Sequence, residues 1–225
     1  MQPSSINNRG LIGGIVAISL LIFGGLAAAI YFAPSDPGTG TIEENVTFDD
    51  SQAPSIGPTD AKVVVHMYSD FQCPACRTAE APLQTAIQKY GDRVRFVWKD
   101  FPLITIHKNA RTAANAARCA DVQGAFWPYH SKLYDMQSTW EGLAHPQDSF
   151  VTYARELNLK EADFSTCLAV SSQDAKVMQN VDEGNRNRVE STPTFFINNR
   201  RYHGMSVEAW SRILDEALAK TSSTS

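Results

Sequence analysis

The chain has 225 residues, 43% of them hydrophobic, and a formal net charge of -4. That length holds one domain with its own core plus appendages. Acids and bases are mixed along it, which excludes a basic stripe for nucleic acid, and repeats, phosphate-cradling glycine loops and zinc-finger His/Cys spacings are absent.

Between Arg9 and Asp36 the chain carries no charge. Residues 11–32 (LIGGIVAISLLIFGGLAAAIYF) span roughly 33 Å as a helix, which matches a hydrocarbon core of about 30 Å. Tyr31 and Phe32 suit an interfacial belt. A signal-peptide core runs to about 7–15 residues, shorter than this stretch. The segment is therefore read as an uncleaved transmembrane anchor; a cleaved signal peptide, using the small residues Ala27, Ala28 and Ala29, is the alternative. Arg9 precedes it, and Asp36, Glu43, Glu44, Asp49 and Asp50 follow. Positive-inside reasoning keeps tail 1–10 in the cytoplasm and places the rest outside, as a single-pass inner-membrane protein with a periplasmic domain. Residues 33–60, rich in Pro, Gly, Ser, Thr and acids, read as a tether in which 41–48 offer an edge strand. The folded domain is expected over 61–220, with 221–225 a disordered tail.

Residues 62–68 (KVVVHMY) are β-branched and apolar and predict a buried strand. FQCPAC follows, then a helix over 77–90 with Gly91 expected in a left-handed closing position. Residues 93–98 (RVRFVW) predict a second strand, and strand–helix–strand implies a parallel βαβ unit. Helical spacing then dominates to about Val189, with Phe126, Tyr129, Leu133 and Tyr134 as one core stripe and Phe150, Tyr153, Ala154 and Leu157 as another. TFFI, Asn198-Asn199 and the residues to His203 predict a tight hairpin. A helix over 207–219 closes the chain. The class is α/β: a thioredoxin-like sheet with a helical insertion over about 105–190, behind one transmembrane helix.

Chemistry concentrates in four cysteines. Cys73 and Cys76 form C-x-x-C at a strand-to-helix junction. A zinc ribbon needs a second close pair, and a c-type haem site needs His where Arg77 stands. A redox pair is the reading that remains. With Cys73 at the N-cap, Pro74 falls at N1, where its missing N–H costs nothing. Free amides and the helix dipole then lower the Cys73 pKa, making it the exposed nucleophile and Cys76 the shielded resolving partner. Cys119 and Cys167 are expected to pair outside the cytoplasm; two separate buried thiols are the alternative. Thr192-Pro193 begins the TFFI strand, where an ordinary trans proline is the bland reading.

SDFQCPAC, KDFPL, the run from AANAARCA to QGAFWPYHSKLY, FSTCL and STPTFFINNR together resemble the DsbA-like branch of the thioredoxin superfamily. The resemblance covers about residues 55–220 and is closest to membrane-tethered or secreted forms with a second disulfide. It implies catalytic Cys73 and Cys76, a cis-Pro193 loop that binds the substrate chain, and Thr192 tuning the Cys73 sulfur. It also implies a structural Cys119–Cys167 disulfide. No cofactor is expected beyond the Cys73–Cys76 couple, and no metal. Expected partners are exported polypeptides with free thiols and a membrane quinone-linked reoxidase, with the protein a monomer.

Two positions depart from the pattern. Met67 stands where many relatives carry a buried acid, and Pro74-Ala75 lacks the histidine of the most oxidising members. The Cys73 pKa is thus expected between the free-thiol value of about 8.5 and an extreme of about 3.5. Lys99 reads as a solvated strand-end lysine, and His66, His107 and His203 as structural. The leading function is dithiol oxidation of exported proteins. An isomerase or reductase on the same scaffold is the alternative, and a redox-inactive chaperone or metal-binding protein is the reading from another class.

Overall fold

A computed structural model describes residues 40–222. The expected membrane helix at 11–32 and the tail lie outside the described residues. Among those described, no helix is long and apolar enough to cross a membrane.

Val63–Ser69 (β3) and Val94–Asp100 (β4) pair in parallel, with Val63 opposite Val94 and Met67 opposite Trp98. The helix between them is Pro74–Tyr90 (α1). The βαβ unit thus forms where the apolar spacing places it. Thr194–Ile197 (β5) pairs antiparallel with β3, and Arg200–His203 (β6) with β5. Asn198 and Asn199 make the turn with φ of 46° and 64°, the positive-φ conformation that suits asparagine. Two short strands extend the sheet: Thr41–Ile42 (β1) on β6 and Ser55–Ile56 (β2) on β4. The order is β1-β6-β5-β3-β4-β2.

Six helices fill the chain between β4 and β5. They are Ala110–Asp121 (α2), Phe126–Asp135 (α3), Gln137–Trp140 (α4), Gln147–Glu156 (α5), Glu161–Ala169 (α6) and Asp174–Arg186 (α7). Val207–Ser222 (α8) closes the fold. Cys119 on α2 is disulfide-bonded to Cys167 on α6, with Cα atoms 5.9 Å apart. Both aromatic stripes sit in the core, with Phe126, Tyr129, Leu133, Tyr134, Phe150, Tyr153 and Ala154 buried. Alternation along β3 sends Val63, Val65 and Met67 to the main core, while Tyr68 joins Phe101, Val189 and Phe196 in a smaller cluster.

Three expectations change. The boundary at Ala61 falls inside the fold: β1 and β2 precede it, and the edge strand expected over 41–48 forms only at Thr41–Ile42, while Val46 and Phe48 pack on the smaller cluster. Gly91 is right-handed at φ -64°. Its need for glycine is contact, since an added Cβ would meet the Ile87 carbonyl oxygen at 2.6 Å. Lys99 is not solvated. It is 0% exposed, with Nζ 2.9 Å from Glu183 and 3.1 Å from Asp50. Buried cations persist only when paired, and these carboxylates come from α7 and the segment before β2.

Candidate active site

The β3 strand ends at Ser69, and a short turn delivers Cys73 to the N-cap of α1 with Pro74 in the first turn. Asp70 organises the turn. One carboxylate oxygen accepts the Gln72 N–H at 2.7 Å, and the other accepts the Leu103 N–H at 2.9 Å and lies 2.7 Å from His107 Nδ1. The Asp70 carbonyl accepts the Cys73 N–H at 3.1 Å. From the helical insertion, Gln137 Nε2 donates to the carbonyls of Phe71 at 2.7 Å and Cys73 at 3.1 Å. Asn109 N–H donates to the Gln72 side chain at 2.7 Å. The insertion therefore grips the cysteine loop directly.

Both cysteines are free thiols. They differ less in exposure than the sequence suggests, at 7% for Cys73 and 3% for Cys76. Their electrostatics differ far more. The Cys73 thiol is pulled down to about 5, chiefly by a hydrogen bond from the Cys76 thiol. Burial opposes this, and the backbone amides of Cys76 and Ala75 reinforce it. Burial pushes Cys76 well above the ordinary thiol range, and the adjacent Cys73 charge adds to that. A thiolate at the helix start beside a protonated thiol one turn inside is the arrangement that thiol–disulfide exchange requires.

Thr192-Pro193 is a cis peptide, and the Thr192 carbonyl oxygen lies 3.5 Å from Cys73 Sγ. Cys73, Cys76, Thr192 and Pro193 thus share one locus, while Cys119 and Cys167 lie apart on α2 and α6. Met67 is fully buried in the core. His66 stacks on Phe48 with ring centroids 3.7 Å apart, and His203 Nδ1 lies 3.2 Å from the Thr194 hydroxyl. Sequence reading missed Asp70, Gln137 and Asn109. The first carries a signal, an Asp opening a turn; the other two act across more than sixty and thirty residues respectively. No cluster of metal-ligating side chains occurs among the described residues.

A family model described as thioredoxin matches residues 49–216. The chain belongs to the thioredoxin family. Within that family its fold is that of the DsbA-like thiol-disulfide oxidoreductases. BdbD from Bacillus subtilis, in its oxidised form, shares 21% identity and a TM-score of 0.69 over 80% of this chain and 98% of that one. Wolbachia pipientis alpha-DsbA1 shares 17% and a TM-score of 0.67 over 79% and 97%. Among curated proteins, Na(+)/H(+) antiporter NhaA 1 of Salinispora arenicola is 36% identical over 183 residues, 81% of this chain and 27% of the antiporter. The namesake from Mycolicibacterium vanbaalenii is 30% identical over 150 residues, 66% and 24% of the two chains. This thioredoxin-family chain spans about a quarter of the length of these curated relatives, whose names describe the longer proteins.

Proposed function

We propose that this thiol-disulfide oxidoreductase works as a dithiol oxidase, with Cys73 as the attacked sulfur and Cys76 as its partner. The observation that carries the reading is the placement of Cys73 at the N-cap of α1, with the Thr192 carbonyl before cis-Pro193 3.5 Å from its sulfur, where helix amides and the Cys76 thiol lower its pKa. A stabilised thiolate favours the reduced enzyme, so the disulfide form gives up its oxidising capacity readily. In the forward reaction a substrate thiolate attacks Cys73 Sγ and the Cys73–Cys76 bond breaks toward Cys76. A second substrate thiolate then attacks its own mixed-disulfide sulfur and releases Cys73 as thiolate. Two electrons move from substrate to the cysteine pair, which needs no cofactor to hold them.

The Cys119–Cys167 disulfide supports an oxidising compartment. With the charge-free stretch at 11–32, this favours a membrane-anchored, periplasmic monomer. Its substrates are exported polypeptides with free thiols, and a membrane quinone-linked protein reoxidises it. Thr192 and cis-Pro193 border the sulfur and would hold the substrate backbone. Cys76→Ser should trap the mixed disulfide with a thiol-bearing peptide, and Cys73→Ser should abolish both trapping and turnover, read by mass spectrometry. Equilibration with glutathione should give a potential well above that of cytosolic reductants. A value near about -270 mV, the thioredoxin range, would instead establish a reductase.

A further inference from the structure

The chain between α7 and β5 carries Thr192, whose carbonyl oxygen lies 3.5 Å from Cys73 Sγ. Its downstream end is held at β5, where the Thr194 hydroxyl donates to the Ser191 carbonyl at 2.7 Å. Glu190 and Ser191 are exposed, so packing does not fix the middle of the loop. The upstream end is held at Asn187 and Val189, both buried. Val189 packs with Tyr68, Phe101 and Phe196, and its N–H donates to the Gly184 carbonyl at 2.9 Å.

Asn187 meets three other parts of the fold. Its Oδ1 accepts the Thr47 N–H at 3.2 Å, and its Nδ2 donates to the Thr47 carbonyl at 2.9 Å. Nδ2 also donates to the Tyr68 hydroxyl on β3 at 3.2 Å, and that hydroxyl donates to Glu183 at 2.6 Å. The Asn187 backbone carbonyl accepts Arg201 Nη2 from β6 at 2.7 Å. Both backbone groups of Thr47 therefore go to one side chain. A carboxamide suits this because it presents a donor and an acceptor side by side. An apolar side chain there would leave the Thr47 groups without that partner. Thr47 itself stands on a fixed base. Two residues on, the Asp49 N–H donates to Glu183 at 2.6 Å and the Asp49 carbonyl accepts from Lys99 Nζ at 2.7 Å. Glu183 lies one helical turn before Asn187, whose N–H its carbonyl accepts at 2.9 Å.

We propose that Asn187 is a positioning residue for thiol–disulfide exchange. By clamping the start of the Thr192 loop to Thr47, Tyr68 and Arg201, it sets where Thr192 stands against the Cys73 sulfur when a substrate chain lies there. Asn187 touches neither the sulfurs nor the substrate and acts through the loop. This role rests on the reading that Thr192 and Pro193 hold the substrate backbone. It makes the segment around Thr47, remote from the cysteines in sequence, a support of the substrate loop. An Asn187 that served stability alone would leave the folded enzyme's preference between substrates unchanged.

The test compares Asn187→Ala with wild type in opening of the Cys73–Cys76 disulfide, by a thiol-bearing peptide and by dithiothreitol. Dithiothreitol has no backbone for the loop to hold, so its rate should stay that of wild type. The peptide rate should fall about 10-fold, within the roughly 100-fold that a misplacement of about 1 Å can cost. Amide hydrogen exchange with Asn187 intact covers the case in which the variant fails to fold. In Cys76→Ser carrying a disulfide-linked peptide, exchange should slow several-fold at Thr192 and, through Asn187, at Thr47, relative to the peptide-free protein. The Ala61 N–H, bonded locally to the Pro58 carbonyl at 3.2 Å, should exchange as before. Slowing at Thr192 with none at Thr47, or a peptide rate that falls no further than the dithiothreitol rate, would overturn the proposal alone. No slowing at Thr192 would overturn the substrate reading beneath it as well.

Discussion

The layer that carries the cysteines and the seam where α7 and residues 49–52 meet the sheet are both largely buried, but they are built from opposite materials. Around Cys73 and Cys76 the core is apolar and aromatic: Met67, Phe71, Leu83, Trp98 and Tyr134. At the seam the buried groups are charged. Lys99 meets Glu183 and Asp50, Tyr68 donates to Glu183 at 2.6 Å, and Arg118 meets Asp100 at 2.6 Å and Asn180 at 2.6 Å. Burial in the apolar layer pushes Cys76 up, and hydrogen bonds at the helix start bring Cys73 down against it, so the pair is made unequal. The charged seam instead holds position, because separating either member of a buried pair leaves an uncompensated charge. Chemistry sits in the soft-walled region and register is held by the ionic one.

The strongest way to break that division is Arg118→Met. It leaves Asp100 at 0% exposure without its cation and should cost about 3–5 kcal/mol in urea unfolding. Replacing Asp100 by Asn in the same protein should restore much of the loss, and neither change should move the Cys73 titration. A smaller effect is expected from Phe48→Ala. Phe48 stacks on His66 and packs edge-on against Phe196, so its loss should cost about 1–2 kcal/mol. The smallest concerns pH. Burial lowers the His66 pKa despite Asp50, so the folded protein binds that proton less well than the unfolded chain. Stability should therefore fall as pH drops below the unfolded histidine value of about 6.5. Asp50 is held well below the carboxylate range against its own burial, by His66 and then Lys99. Its contribution is present above about pH 4 and lost beneath it. His66→Gln should flatten the decline between pH 7 and 5; an unchanged slope would place the acid sensitivity elsewhere.

What could be read from the sequence was local. The βαβ unit, Cys73 ahead of Pro74, and the Asn198-Asn199 turn depend on neighbours a few residues apart, so spacing and residue type sufficed. Lys99 was misread because its carboxylate partner Glu183 is 84 residues away. A lone lysine after an apolar run looks the same whether or not an acid waits for it. Residues 33–60 read as a tether because their composition is polar, and of these the structure describes those from 40 onward. Their backbone groups are nonetheless taken up by the fold, as where the Asp49 N–H donates to Glu183 and the Asp49 carbonyl accepts from Lys99.

The claim beneath all of this is that the fold makes the two cysteines unequal. The most direct measurement is the thiolate absorbance of the reduced protein against pH, repeated for Cys73→Ser and Cys76→Ala. A single low titration near pH 5, present in wild type and absent from Cys73→Ser, is the expected result. Cys76→Ala should titrate above wild type yet below the free thiol, since it removes the donor of the largest hydrogen bond to Cys73. A wild-type midpoint at the free-thiol value of about 8.5, or a low titration that survives in Cys73→Ser, would contradict the account.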